Sequence, residues 1–222
     1  MSGREAILAK VRRALGAGGD EAERRAAVET RLREPPVHLI PQRGQLDRAG
    51  RIDLFGRMAE SVQATVARVA SPAAVPEAVA EHLRRANLPA ELRMGADPRL
   101  AALPWDRTQL TIRHGASDGS DAVGVSHAEA GVAETGTLVL LSGPDNPTTI
   151  NFLPDTHLVV VRAEDIVGDY ETVWRRLRER LGPGAMPRLV NMITGPSRSA
   201  DIEQTLLLGA HGPRALHIVV VG

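Results

Sequence analysis

The chain has 222 residues, 27 basic and 27 acidic side chains, and a hydrophobic fraction of 43%, which suits one large domain or one domain with a small appendage. Its zero formal charge argues against nucleic acid or an anionic membrane as a partner, and no apolar run approaches the ~20 residues that span a bilayer. The absence of cysteine excludes a thiolate nucleophile, a disulfide and a cysteine-ligated iron–sulfur cluster.

The amino-terminal segment lacks a signal-peptide core, so a cytoplasmic location is expected. Lys10 is the sole lysine and has no glycine-rich loop around it, which excludes a Walker phosphate loop. The other 26 basic residues are arginine, suited to two-pronged recognition of carboxylate or phosphate and equally to solvated helix faces.

Residues 4–15 place Ile7, Leu8, Val11 and Leu15 on one face, predicting an amphipathic helix ended by Gly16. Residues 21–33 predict a second, more charged helix, and Pro35, Pro36 and Pro41 then force an extended connection. Residues 1–45 are expected to form a helical arm and residues 46–222 the α/β domain.

From Leu54, apolar residues Phe55, Met58, Val62 and Val66 recur at helical spacing, with a short strand expected over 66–70. Pro76 opens a helix carrying Val79, Leu83 and Ala86, residues 91–94 follow as a strand, Asp97 caps a short helix, and residues 109–113 alternate as a strand. The run SDGSDA over 117–122 is a turn-rich hinge. Beyond it, residues 137–141, 158–161, 189–193 and 216–221 are short, apolar and rich in β-branched side chains, as strands covered on both faces should be. Helices are expected over 169–181 and 200–208, the latter stopped by Gly209. The expected fold is an open, mostly parallel α/β sheet flanked by helices, with these four strands at its centre.

The segment TGPSRSADIEQTLLLGAHGP over 194–213 stands out because an apolar strand runs into a polar turn and then a helix start. In that reading Thr194, Gly195, Ser197, Arg198 and Ser199 lie beyond a strand end, where free helix amides and a planar guanidinium can hold an anion. The structural alternative is that Ser199 only caps the helix, with Arg198 consumed by Asp201 or Glu203. Ser197 sits in GPSRS and not in a GxSxG elbow, so a hydrolase is not indicated.

Read with AETGTLVL over 133–140 and NFLPDTHLVVV over 151–161, this segment resembles the LUD domain of the lactate utilization protein C (LutC/YkgG) family. The likeness extends to REAILAKVRRALG near the amino terminus. The resemblance implies a NagB/RpiA/CoA transferase-like fold. It also implies an accessory role in oxidising L-lactate to pyruvate beside iron–sulfur partner proteins, the clusters residing in those partners and no cofactor in this chain.

Within the second block, Glu134 beside Thr135, Gly136 and Thr137 is a candidate proton-transfer carboxylate in an anion-binding turn, or a turn residue fixing the approach to a strand. His211, between Gly209 and Pro213, is a candidate acid or base, or a backbone-bonded turn residue. His127 and His157 carry the same two readings. No HExxH pair or compact His–carboxylate cluster occurs, so no metal is expected, and no GxGxxG fingerprint calls for a nicotinamide cofactor. The competing functional readings are a stand-alone enzyme of CoA-transferase, sugar-phosphate isomerase or folate cyclo-ligase type, and a ligand sensor.

Overall fold

The structure, a computed structural model, describes residues 3–16, 21–37, 39–182, 184–200 and 206–222. Up to Leu39 the chain forms one unit, in which α1 (Gly3–Ala14) and α2 (Glu21–Arg33) bury no residue. From Ile40 onward the chain forms the second unit, which holds the core.

The second unit begins with α3 (Arg48–Ser61), whose start is fixed by the Asp47 carboxylate accepting from the Gly50 N–H at 2.7 Å. There follow β1 (Thr65–Val69), α4 (Val75–Arg85), β2 (Glu91–Met94), the short α5 (Pro98–Ala101) capped by Asp97, and β3 (Thr111–His114). The second half adds β4 (Val123–His127), β5 (Ala130–Val132), β6 (Thr137–Leu141), β7 (Thr156–Arg162) and β8 (Ile166–Val167). It ends with α6 (Tyr170–Leu181), β9 (Val190–Ile193), β10 (Arg198–Ala200), β11 (Leu206–Leu208) and β12 (Ala215–Val221).

Six strands form a parallel sheet in the order β1-β12-β7-β4-β2-β3. The carboxyl-terminal halves of its central strands β7 and β12 hold unbroken apolar runs because alternate side chains enter different cores. Val159, Val161, Ile218 and Val220 pack with Phe55 and Ala59 of α3 on one face, while Leu158, Val160, Val219 and Val221 meet Val79 and Leu83 of α4 on the other. The expected open parallel α/β sheet flanked by helices is therefore present.

Two expectations inside that fold need correction. The four apolar strands do not share one sheet: β7 and β12 lie in the parallel sheet, but β6 and β9 pair antiparallel in a separate four-stranded sheet of order β8-β5-β6-β9. An unbroken apolar run reports only that both faces are covered. In β6, Leu138 and Leu140 face the core shared with α3, and Val139 faces Val173 and Leu177 of α6.

The second correction concerns the helix expected over 200–208. Its described ends are strands instead: β10 and β11 pair antiparallel, with Arg198 opposite Leu208 and Ala200 opposite Leu206. Residues 201–205, including Asp201 and Glu203, lie outside the described residues. Gly209 does take a left-handed φ of 83°, but it follows a strand, and its N–H donates to the Ser197 carbonyl at 3.0 Å.

Candidate functional site: a cleft between two sheets

Two glycine turns lean on the carboxyl end of α3. Gly136 (φ 68°) sits where a Cβ would overlap the backbone of Ala59, and Gly195 (φ 74°) where a Cβ would overlap the carbonyl of Val62. The ETGT turn before β6 and the TGPSR turn after β9 are thereby held against one helix end. A chain of hydroxyls joins them: Thr137 Oγ1 lies 2.7 Å from Thr135 Oγ1, 2.7 Å from the Tyr170 hydroxyl and 2.6 Å from Thr194 Oγ1.

The second turn is also stitched to the chain before β12. The Ser197 N–H donates to the Pro213 carbonyl at 2.8 Å, alongside the Gly209 bond to Ser197. These two bonds bring His211 beside the turn, and a cleft of about 410 Å³ opens there. Thr194, Gly195, Ser197, Arg198 and His211 line it together with Asn151 and His157, and Phe152, Met192 and Leu216 supply apolar wall. Arg198 and His211 are exposed, and among the described residues no carboxylate pairs with the Arg198 guanidinium.

The cleft lies at the carboxyl end of β9 as the apolar run before it implies. It meets the parallel sheet, however, at the amino ends of β7 and β12, where His157 and Leu216 stand near the strand starts. The anion-holding helix amides foreseen after Ser199 are replaced by the strand β10, so the polar equipment of the cleft is side-chain and turn chemistry.

Glu134 and its neighbours stand behind the cleft. Thr135, Gly136 and Thr137 do not line it and connect to it through the Thr137–Thr194 bond. Glu134 is also outside the lining: its side chain is buried at 4% exposure, its N–H donates to the Gly168 carbonyl, and its Oε2 has no described hydrogen-bond partner.

Beneath the cleft runs a buried polar chain that joins His157, a candidate from the sequence, to two residues on other elements. Ser126 Oγ donates to Asn151 Oδ1 at 2.7 Å and lies 3.0 Å from His157 Nε2, while His157 Nδ1 is buried with no hydrogen-bond partner among the described residues. Burial pushes the His157 imidazole down to about 3, so the ring is neutral. The signal was in the NFLPDTH run, whose ends are Asn151 and His157, but Ser126 comes from the distant β4.

A second, smaller cleft of about 230 Å³ opens past the carboxyl end of β4, among Arg99, His127, Glu129, Asn146 and Arg180. Its charges are spent on one another: Glu129 pairs with both Arg99 and Arg180, and Arg99 also grips Asp97 at 2.7 Å. Burial and the nearby Arg99 charge push His127 down to about 4. Among the described residues, no group of three or more His, Cys, Asp or Glu side chains is placed to hold a metal ion, and no helix is long and apolar enough to cross a membrane.

Known proteins share this architecture. A DUF162 family protein from Deinococcus radiodurans has a similar fold, with a TM-score of 0.58 and 24% identity, over 80% of this chain and 99% of that one. A lactate utilization protein C of Geobacillus thermodenitrificans is 42% identical over 100 residues, which is 44% of this chain and 42% of that protein. Another, from Halalkalibacterium halodurans, is 36% identical over 118 residues, 52% of this chain and 51% of its own length. The chain thus aligns with about half the length of these curated relatives. The LUD domain family model matches residues 52–221, and the chain belongs to the LUD domain family.

Proposed function

We propose that this chain serves lactate utilization as an accessory component in the oxidation of L-lactate to pyruvate. In this reading it binds a small carboxylate at the cleft between the sheets, and iron–sulfur partner proteins carry the electrons. The names of the relatives support the pathway, and the absence of cysteine fits a division of labour in which cysteine-ligated clusters belong to other chains. The observation that carries the binding reading is Arg198 in the lining of the cleft, with no ion-pair partner among the described residues, a planar fork whose geometry suits a carboxylate through two parallel hydrogen bonds.

Deletion of the gene is expected to abolish growth on L-lactate. Wild type should restore it, and Arg198→Ala should restore it poorly while accumulating to the same level. Normal growth of the deletion strain on lactate, with no second copy of the gene, would contradict the assignment. So would turnover of an acyl-CoA or a sugar phosphate by the isolated chain. Retrieval of iron–sulfur proteins with the tagged chain from lactate-grown cells tests the partners.

A further inference from the structure

The cleft is larger and more apolar than a three-carbon acid needs. Its volume of about 410 Å³ falls within the range of sites that enclose drug-sized ligands, roughly 300–1,000 Å³, so lactate on Arg198 would leave most of it to water. Part of the wall left wet is apolar: Phe152 and Met192 line the cleft and stay 40% and 36% exposed, and Ile193 and Leu216 extend the same wall. The protein has two phenylalanines, of which Phe55 is wholly buried. Phe152 instead follows the tight turn Thr148–Asn151, whose Ile150 enters the core, and the Phe152 N–H donates to the Thr149 carbonyl at 3.3 Å. The ring stands beside the polar turn. A Cβ added at Gly212 would lie 3.9 Å from the Phe152 ring and 3.5 Å from Ser197 Oγ, so both flank one point of the cleft lining, and Ser197 immediately precedes Arg198.

We infer that the cleft takes a carboxylate bearing an apolar substituent longer than a methyl group, the acid on Arg198 and the substituent against Phe152 and Met192, with Phe152 as the specificity-determining residue. The inference rests on the carboxylate-binding reading of the cleft and deepens it, because it sets the size and polarity of the other end of the ligand. Lactate is then the smallest member of the accepted class. Its one methyl covers little of the wall, whereas each further methylene moved from water onto that wall tightens binding by roughly threefold. The aromatic face of Phe152 is a large apolar surface that an aliphatic chain or a ring can cover. Arg198 supplies the charge that orients such a ligand, and the apolar wall discriminates between acids of different length.

The test titrates L-lactate, L-2-hydroxybutyrate, L-2-hydroxypentanoate and L-3-phenyllactate by calorimetry into the wild-type chain, Arg198→Ala and Phe152→Ala. Affinity for wild type is expected to rise roughly threefold for each added methylene, and at least roughly tenfold from lactate to phenyllactate. Arg198→Ala should weaken all four acids, and Phe152→Ala should flatten the rise. Nuclear Overhauser contacts between the side-chain protons of the two longest acids and the Phe152 ring, in a chain labelled at phenylalanine, are expected as well, a readout that stands even if Phe152→Ala does not fold. Affinity that stays level or falls along the series, with every acid dependent on Arg198, would overturn the apolar extension and leave the carboxylate site standing. A full rise in folded Phe152→Ala, or the absence of contacts to the Phe152 ring, would overturn the role of Phe152. Failure of wild type to bind any of the four acids would overturn the carboxylate reading and this inference with it.

Discussion

The hydroxyl oxygens of Thr137 and Thr194 lie 2.6 Å apart, although 57 residues separate them in sequence. One residue opens β6 and the other follows β9, adjacent antiparallel strands whose pairing sets Leu138 opposite Ile193. Their bond joins the ETGT turn to the turn that lines the cleft, and the Tyr170 hydroxyl at the start of α6 bonds to Thr135 and Thr137 of the first turn. A polar chain of this kind in a low-dielectric setting stiffens what it connects.

Thr137 is fully buried and its hydroxyl has three partners, so Thr137→Val keeps the shape, takes this bond from Thr194, and leaves Tyr170 and Thr135 only each other. The expected loss is about 2 kcal/mol of unfolding free energy, larger than for Tyr170→Phe. Because the two hydroxyls belong to one network, the double variant should lose less than the sum of the singles, by about 0.5–1.5 kcal/mol. Urea unfolding of the four proteins measures the coupling, and strict additivity would show that the network is not cooperative.

Gly136→Ala and Gly195→Ala each ask a side chain to adopt a left-handed φ and to enter space held by the backbone of α3. Each should cost at least about 2 kcal/mol, read as a lower urea midpoint at unchanged slope. By contrast, Gly115→Ala, also at a positive φ but with open space around its Cβ, should cost only about 1 kcal/mol. Equal losses at all three positions would mean that contact with α3 contributes nothing.

Three buried histidines make the fold sensitive to mild acid. Burial, with Arg99 adding to it, pushes His127 down to about 4, burial pushes His157 to about 3, and burial with His82 stacked beside it pushes His217 to about 3. Above the ordinary value of 6.5 the rings are neutral in both folded and unfolded chains and contribute no pH dependence. Below it the unfolded chain takes up protons that the folded chain refuses, so stability falls with pH until each folded value is passed. The limiting slope is about 1.4 kcal/mol per pH unit for each ring. Unfolding midpoints between pH 7 and 5 should therefore drop steeply, and His217→Gln should flatten the profile relative to its own value at pH 7. A flat wild-type profile would contradict burial of these rings in the neutral form.

Local patterns disclosed a great deal. The stripe Val173, Leu177 and Leu181 after a capping Asp169 reads directly as α6, and the alternate-face burial of 158–161 and 216–221 is written in their unbroken apolar runs. What these patterns lack is partner choice. Nothing in LVLL over 138–141 distinguishes pairing with β7 from pairing with β9, since strand order depends on contacts tens of residues away. The leucine run at 206–208 suits helix or strand alike, and pairing with Arg198 and Ala200 selects the strand. The cleft shows the same division: Thr194, Gly195, Ser197 and Arg198 announce themselves as a polar turn after a strand, and His211 follows in the next turn. His157 reads as a candidate acid or base or as a backbone-bonded turn residue, and only Ser126 and Asn151, on other elements, show the buried chain it belongs to.

The most direct measurement is a crystal structure of the chain soaked with L-lactate. The expected result is lactate in the cleft between the sheets, its carboxylate on the Arg198 guanidinium. An empty cleft at saturating lactate, with the acid bound elsewhere or nowhere, would contradict the account.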